Sequence, residues 1–200
     1  MSDSLFLSPA KRVIVPFCDE NRYESLKDES GTRVFLVENK EDTLSAAVMR
    51  VDSGYLNDPA GFPGTARLLG ELLIGDTAQH SQATAFQAAV KAGGGTCATT
   101  VMETNTSHVF YTNTTHFELA LGNFIHCLAN APLPAEALQS AIDALNAEHP
   151  AQLRSVFNRK KQLLSFLASP TSAFHRRGGG TELIANTPGL HVVLRDFLAT

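Results

Sequence analysis

The sequence predicts an α+β fold in which an antiparallel β-sheet has helices packed on one face. Short strand-like segments occur in two groups and apolar helical stretches follow each group, in the order ββααββααα. Strands and helices do not alternate along the chain, so a parallel sheet is not indicated. The 200 residues are 44% hydrophobic and 18% charged, which is ordinary for a globular domain and excludes disordered, collagen-like and coiled-coil proteins.

The chain is expected to begin with a lead-in over residues 1–21, where polar residues surround short apolar pieces. Residues 22–200 form the predicted main domain. Within it, residues 33–37 and 45–51 flank the polar residues 38–42, a spacing typical of an antiparallel hairpin. We therefore expect these two strands to pair with each other.

Two helices are expected after the first strands. Residues 65–74 are strongly apolar, and Thr65 is the predicted N-cap. Residues 81–92 form the second helical stretch and end at the three glycines 93–95. This glycine run is a helix terminator and not a phosphate loop, because it follows a helix and matches neither GxGxxG nor GxxxxGK[ST].

The second half of the chain repeats the pattern of two strands followed by helices. The predicted elements are strands at 96–103 and 107–113 and helices near 115–129, 135–168 and 190–198. The long helix is expected to bend at Pro150, whose ring removes a backbone hydrogen bond. The last apolar stretch stops without a terminating signal, which leads us to expect a fragment of a longer, multi-domain chain.

Charge and cysteine usage narrow the class of protein. The formal net charge of −4 gives no global reason to expect binding to nucleic acid or to a membrane. Cys18, Cys97 and Cys127 are odd in number and lack CxxC spacing, so neither a disulfide framework nor a zinc knuckle is indicated. Since the sequence shows no signal-peptide-like or membrane-spanning apolar run, we expect a cytoplasmic protein and leave a mitochondrial location open.

One helix has the strongest functional signal. Residues 64–75 have the sequence Gly-Thr-Ala-Arg-Leu-Leu-Gly-Glu-Leu-Leu-Ile-Gly, which resembles the active-site helix G-x-A-H-x-x-E-H-x-L of the insulinase/pitrilysin zinc metallopeptidases. Residues 31–39 resemble the opening strand of that family, 92–100 its edge strand, and 141–149 the helix with its distal glutamate ligand. The resemblance extends over residues 22–200 and implies the family's metallopeptidase-type domain.

The spacing of these segments aligns both ends of the site. In the family, the distal Glu lies about 77 residues beyond the second His of the motif, and here 148 − 71 = 77. The resemblance therefore implies that Arg67 stands at the first zinc ligand, Gly70 at the general base and Glu71 at the second ligand. Only Glu148 keeps the family's residue.

These replacements remove the chemistry of the family. Catalytic zinc needs about three N, O or S ligands and an open position for water. The guanidinium of Arg67 has no available lone pair, and Gly70 has no side chain to take a proton from water. We expect no intact catalytic residue, no metal-ligand set and no bound cofactor, although zinc is the cofactor of the family.

The residues at the former zinc positions are expected to form an ion cluster. Arg67 and Glu71 are spaced i, i+4 on one helix face, and the alignment puts Glu148 beside them. Arg67 is expected to bridge both carboxylates, and the alternative is a solvated surface pair in a groove. Gly70 costs about 1 kcal/mol relative to Ala inside a helix, which indicates either drift after catalysis was lost or close approach by another segment.

The predicted peptide-binding segment is a strand at the sheet edge. In the family, this edge takes extended substrates by β-augmentation. The residues that the resemblance places there are Thr96, Cys97, Ala98, Thr99 and Thr100. Cys97 stands where the family has Asn. Extended peptides are therefore expected as ligands.

Two functions follow from the resemblance. The first is a catalytically degenerate metallopeptidase homologue, a pseudo-peptidase that acts as a structural or peptide-binding lobe beside further homologous domains or a partner subunit. The alternative is part of an active zinc metalloendopeptidase whose intact site lies in another domain or subunit. Because the zinc motif is replaced, the sequence favours a chain that is not itself an enzyme.

Two remaining features have ordinary interpretations. No histidine occurs in an HxxxH, HxH or HxxE pattern, so we expect surface or capping residues, mostly in loops or at strand ends: His80, His108, His116, His126, His149, His175 and His191. Six Arg and Lys residues and no acidic residue lie between Glu148 and Glu182. That segment is expected to be a solvated helix face or to dock an acidic partner domain, and not to bind nucleic acid.

Overall fold

The computed structural model describes residues 8–9, 14–29, 31–74, 81–129, 133, 135–175 and 189–198. Two units make up the chain, Met1–Thr43 and Leu44–Thr200, and each is described by itself. In the described part of the chain, no helix is both long enough and apolar enough to cross a membrane.

The first unit is a small antiparallel sheet. Its strands lie in the order β1 (Ser8–Pro9), β2 (Arg22–Lys27) and β3 (Arg33–Glu38). The turn between β2 and β3 is fixed by Asp28, whose carboxylate accepts from the backbone N–H of Thr32 at 2.7 Å. Gly31 has a φ of 93°, a conformation that costs glycine little. This tight turn makes β2 and β3 a hairpin.

The predicted hairpin between residues 33–37 and 45–51 is wrong. The pairing partner of β3 is β2, and the strand at 44–51 pairs with a strand at 106–113 instead. The short turn at Asp28 joins β2 directly to β3. Residues 38–42 also contain a turn, in which Asn39 accepts from the backbone N–H of Glu41, so turn residues alone do not distinguish the two possible hairpins.

In its described residues, the second unit has a three-stranded antiparallel sheet and six α-helices. Its strands are β4 (Leu44–Val51), β5 (Thr96–Val101) and β6 (Thr106–Asn113), in the order β4-β6-β5. Its helices are α1 (Thr65–Ile74), α2 (Ser81–Ala92), α3 (Thr114–Ala129), α4 (Ala135–Arg154), α5 (Val156–Leu167) and α6 (Leu190–Leu198). Short 3-10 turns occur at Tyr55–Asn57 and Ala173–His175.

The core of the second unit lies between the sheet and the helices. Alternate residues of the central strand β6 are buried on that side: Thr106, His108, Phe110 and Thr112. The ring of Phe110 meets Phe86 of α2 and Phe124 of α3, with ring centroids 5.4 and 5.1 Å away. The predicted fold class, α+β with an antiparallel sheet and helices on one face, is confirmed.

The long helix expected over residues 135–168 is two helices. Helix α4 continues through Pro150 to Arg154. The break comes at Ser155, which is extended (φ −68°, ψ 122°) and whose side chain accepts from the backbone N–H of Asn158. Serine competes for local backbone hydrogen bonds and favours helix N-caps, so Ser155 starts α5 where the proline does not end α4.

Candidate functional site

Helix α1 is held in place by a buried carboxylate. Asp58 accepts from the backbone N–H groups of Gly64 at 2.5 Å and Ala66 at 2.8 Å, at the start of the helix. The hydroxyl of Thr65 instead donates to the carbonyl of Phe62 at 2.6 Å. The predicted N-cap at Thr65 is therefore wrong. The side chain of Asp58, in the preceding loop, accepts hydrogen bonds from the free N–H groups that a cap would satisfy.

Asp58 has an unusual acidity. Burial raises its pKa to about 6, although hydrogen bonds from the backbone of Ala66, Gly64 and Thr65 act in the opposite direction. Burial removes water from the carboxylate, and these hydrogen bonds replace only part of the lost hydration. The start of α1 thus depends on a group that titrates in mildly acidic solution.

A cleft of about 350 Å³ lies between α1, α4 and β5. Its lining residues come from these elements and from the loop before α1: Tyr55, Gly64, Arg67, Glu71, Thr99, Thr100, Val101, Leu145 and Glu148. The cleft is therefore the place where the predicted site residues and the predicted peptide-binding strand meet.

Arg67 and Glu148 form an ion pair across this cleft. The distance between Arg67 Nη2 and Glu148 Oε2 is 2.5 Å. The two side chains are 35% and 58% exposed, so solvent screening limits the contribution of the pair to less than about 1 kcal/mol. Glu71 lines the same cleft one helical turn beyond Arg67. The pair holds the Arg67 guanidinium in the cleft, and its contribution to the stability of the fold is small.

Gly70 lies directly under strand β5. A Cβ atom at this position would stand 2.6 Å from Thr99 Cγ2, a distance that real Cβ contacts essentially never show. Of the two explanations for this helical glycine, close approach by another segment is the one that the geometry supports. With Thr99 in its observed rotamer, α1 and β5 pack too closely here to leave room for a side chain at position 70.

Thr99 also holds a buried histidine. Its Oγ1 lies 2.9 Å from His108 Nδ1, and His108 is only 3% exposed. Burial lowers the pKa of His108 to about 4. The expectation of a surface or capping histidine is wrong at His108, since the inward positions of β6 face the helices.

The other histidines lie mostly in helices, and not in loops or at strand ends. His116 and His126 belong to α3, His149 to α4 and His191 to α6. His116 lies in the first turn of α3, where its Nδ1 is 2.8 Å from Asn113 Oδ1. His80 lies outside the described residues.

The donor set of the cleft does not fit zinc. Guanidinium cannot ligate a metal, which leaves two carboxylates, Glu71 and Glu148, without an imidazole. Among the described residues, no group of three or more His, Cys, Asp or Glu side chains is arranged to hold a metal ion. No hydrolytic step through a bound metal follows from these residues.

Strand β5 is an edge strand of its sheet. Its predicted peptide-binding residues divide between two faces. Cys97 and Thr99 are partly buried towards the helices, and the Cys97 thiol lies 3.8 Å from the carbonyl of Ile74. Thr96, Ala98 and Thr100 are exposed on the other face. In the described structure, the ladder of β5 runs along β6, so its other side is available to an added strand.

The cleft rim contains a contact that sequence reasoning missed. The Tyr55 hydroxyl donates to Glu103 Oε1 at 2.8 Å, and Lys161 Nζ lies 3.3 Å from the same oxygen. A backbone hydrogen bond, followed by the bond from Tyr55, holds the pKa of Glu103 below its usual range. These residues come from distant parts of the chain, and their spacing gave no signal. The contact ties α5 to the edge of the cleft.

Solved structures share this fold. The crystal structure of pitrilysin matches with a TM-score of 0.87 and 22% identity, over 96% of this chain and 21% of that one. A peptidase M16 inactive domain from Pseudomonas fluorescens matches with a TM-score of 0.72 and 17% identity, over 89% of this chain and 43% of that one. The chain therefore has the α+β fold of an M16-type peptidase domain.

Sequence comparison assigns the family. Residues 33–171 match the family described as insulinase (peptidase family M16), so the chain belongs to the insulinase family. The insulin-degrading enzyme of Drosophila melanogaster is 26% identical over 164 residues, which cover 82% of this chain and 17% of that protein. The chain thus spans about a sixth of the length of this relative.

Proposed function

We propose that the chain is a pseudo-peptidase, a lobe of an insulinase-type protein that binds extended peptides or supports further domains without hydrolysing peptide bonds. The observation that carries this proposal is the ion pair of Arg67 and Glu148, in a cleft beside the edge strand β5. A permanent cation stands at the position that the resemblance gives to a zinc ligand.

The loss of hydrolysis follows from two independent replacements. Arg67 stays protonated and cannot bind zinc. Gly70 cannot accept a proton from an attacking water, because it has no side chain. Restoring one function without the other would leave either a metal without a base or a base without a metal.

Peptide binding follows from the position of β5. An extended peptide that adds to this edge would gain main-chain hydrogen bonds, and alternate side chains would point towards the cleft. The residues of β5 that line the cleft are Thr99, Thr100 and Val101. Arg67 and Glu148 then supply charges for recognition in place of a reaction centre.

A test uses one fluorescent ten-residue peptide and two versions N-methylated at alternate positions, odd or even. Because alternate N–H groups of an added strand face its neighbour, we expect only one methylated version to lose affinity, by about tenfold or more. Mass spectrometry should find the peptide intact, with or without added zinc. Equal binding of all three peptides, or no binding, contradicts the proposed peptide binding.

The alternative function is part of an active zinc metalloendopeptidase whose intact site lies in another domain or subunit. It is favoured by the length of the relative named insulin-degrading enzyme, of which this chain spans 17%. Chelator-sensitive cleavage of the test peptide by a longer protein that contains this chain, with no cleavage by the chain alone, would favour this alternative.

The cellular compartment belongs to the same proposal. In the described part of the chain, Cys18, Cys97 and Cys127 form no disulfide bond, which suits a reducing compartment. We propose a cytoplasmic location and leave a mitochondrial one open.

A further inference from the structure

Helix α5 turns its polar side towards the domain and its apolar side outwards. The three residues of the helix that are partly buried are Asn158, Lys161 and Ser165, which share one face at spacings of three and four. Its large apolar side chains point away from the domain and are 58–77% exposed: Val156, Phe157, Leu163, Leu164, Phe166 and Leu167. We call these six residues the α5 apolar face.

Such a face is unusual on an isolated domain. Amphipathic surface helices normally turn their apolar side to the core, and contiguous exposed apolar patches of this kind mark interaction sites. Helix α5 is nevertheless attached to the domain, since Lys161 pairs with Glu103 at the cleft rim. An attached helix with an exposed apolar face is suited to binding a partner.

The charges of α5 indicate the chemistry of that partner. Arg159 and Lys160 are exposed on the outward side, and the sequence contains no acidic residue between Glu148 and Glu182. A second copy of α5 would bring like charges together. A surface that carries carboxylates among its apolar side chains would instead match both the cations and the apolar side chains.

A protein partner fits this pattern better than a lipid surface. At 100° per residue, Arg159 and Lys160 lie within the arc of the apolar side chains and not at its margins. Insertion of the face into a bilayer would carry both cations towards the acyl chains. A protein surface can place a carboxylate opposite each cation.

We propose that the α5 apolar face docks a protein surface whose apolar side chains surround carboxylates placed opposite Arg159 and Lys160. This inference names the surface through which a partner domain would join the lobe, and in that respect it rests on the proposed function. It does not require peptide binding in the cleft, so its probes and variants are different ones.

The test titrates the full chain with two synthetic amphipathic helical peptides that share a Leu face and carry either Glu or Lys at two positions within that face. We expect the Glu peptide to bind about tenfold more tightly, because two ion pairs of ordinary strength add up to about that factor. Phe166→Ser should weaken binding of both peptides, and Lys160→Glu should remove most of the preference. Leu119→Ser, at a residue of α3 that is 63% exposed, is the matched control and should change nothing.

Three results would overturn the inference. The first is equal binding, or no binding, of the two peptides. The second is binding to vesicles of phosphatidylcholine and phosphatidylserine at 7:3 that Phe166→Ser abolishes, without peptide discrimination, which indicates a lipid surface. The third is self-association in sedimentation that Phe166→Ser removes, which indicates a second copy. Loss of cleft peptide binding alone leaves the inference intact.

Discussion

Gly70 shows how a single residue can reflect the close approach of two elements. The resemblance gives this helical glycine the position of the family's general base, and the sequence alone leaves two reasons for it open, drift or close approach by another segment. The reason is Thr99, whose Cγ2 would stand 2.6 Å from a Cβ at position 70. The tight contact of α1 with β5 therefore accounts for the glycine at this position.

We predict that Gly70→Ala destabilises the protein by about 1–3 kcal/mol, as overpacking does, although Ala favours a helix over Gly by up to about 1 kcal/mol. Rotation of Thr99 would relieve the clash only by moving Oγ1 away from His108. Thr99→Ser removes Cγ2, keeps the hydroxyl and should restore most of the stability. Urea unfolding of both single variants and the double variant measures this coupling.

The control for this prediction is Gly122→Ala. Gly122 lies in helix α3 with nothing within 4 Å of a built Cβ, so the same substitution should stabilise the protein by about 0.5–1 kcal/mol. If Gly70→Ala proves as stabilising as Gly122→Ala, position 70 has free space and the packing account is wrong.

At the scale of elements, the sequence predicts where helices and strands lie better than what they contact. The periodicity of residues 65–74 and 81–92 gives α1 and α2 at their observed limits. Strand pairing depends on which turn brings neighbouring strands together, and the sequence does not show this. The predicted partner of β3 is therefore wrong. The cap of α1 was missed because Asp58 lies seven residues before the helix, beyond the spacing of any local capping motif.

The two buried titratable groups near α1 make opposite contributions to stability. The folded pKa of Asp58, about 6, lies above its usual 3.8, so its contribution is fully present below pH 3.8 and is lost as the pH rises towards 6. The folded pKa of His108, about 4, lies below its usual 6.5, so its contribution is present above pH 6.5 and is lost as the pH falls towards 4. Each is on the order of 3 kcal/mol.

We therefore predict a nearly flat pH dependence of unfolding free energy between pH 4 and pH 6, where the two contributions oppose each other. Asp58→Asn removes the first and should leave a protein that loses stability steeply on acidification below pH 6.5. His108→Gln should do the reverse. Urea titrations at several pH values measure the slopes, and parallel curves for the native chain and Asp58→Asn would refute the assignment.

At the scale of the whole molecule, the resemblance carried information that local patterns did not. Helix periodicity alone could not bring residue 67 to residue 148, yet the 77-residue spacing anticipated a site shared by α1 and α4, and the structure joins Arg67 to Glu148. The outward orientation of the α5 apolar face lay beyond sequence reasoning, because its apolar residues follow an ordinary helical pattern. On the side that faces the domain, Lys161 pairs with Glu103.

The central claim is that Arg67 and Glu71 stand where zinc ligands would otherwise complete a site with Glu148. Isothermal titration with zinc tests it on the unmodified chain and on the variant Arg67→His, Glu71→His. Gly70 stays unchanged, because a base is not needed for binding and a side chain there would strike Thr99.

Two imidazoles spaced i, i+4 and one carboxylate make a catalytic-type ligand set. We predict that the variant binds one zinc about 100-fold more tightly than the unmodified chain, and that adding Glu148→Gln removes most of the gain. Equal, weak affinity in the unmodified chain and the variant, or a gain that ignores Glu148, would contradict the account.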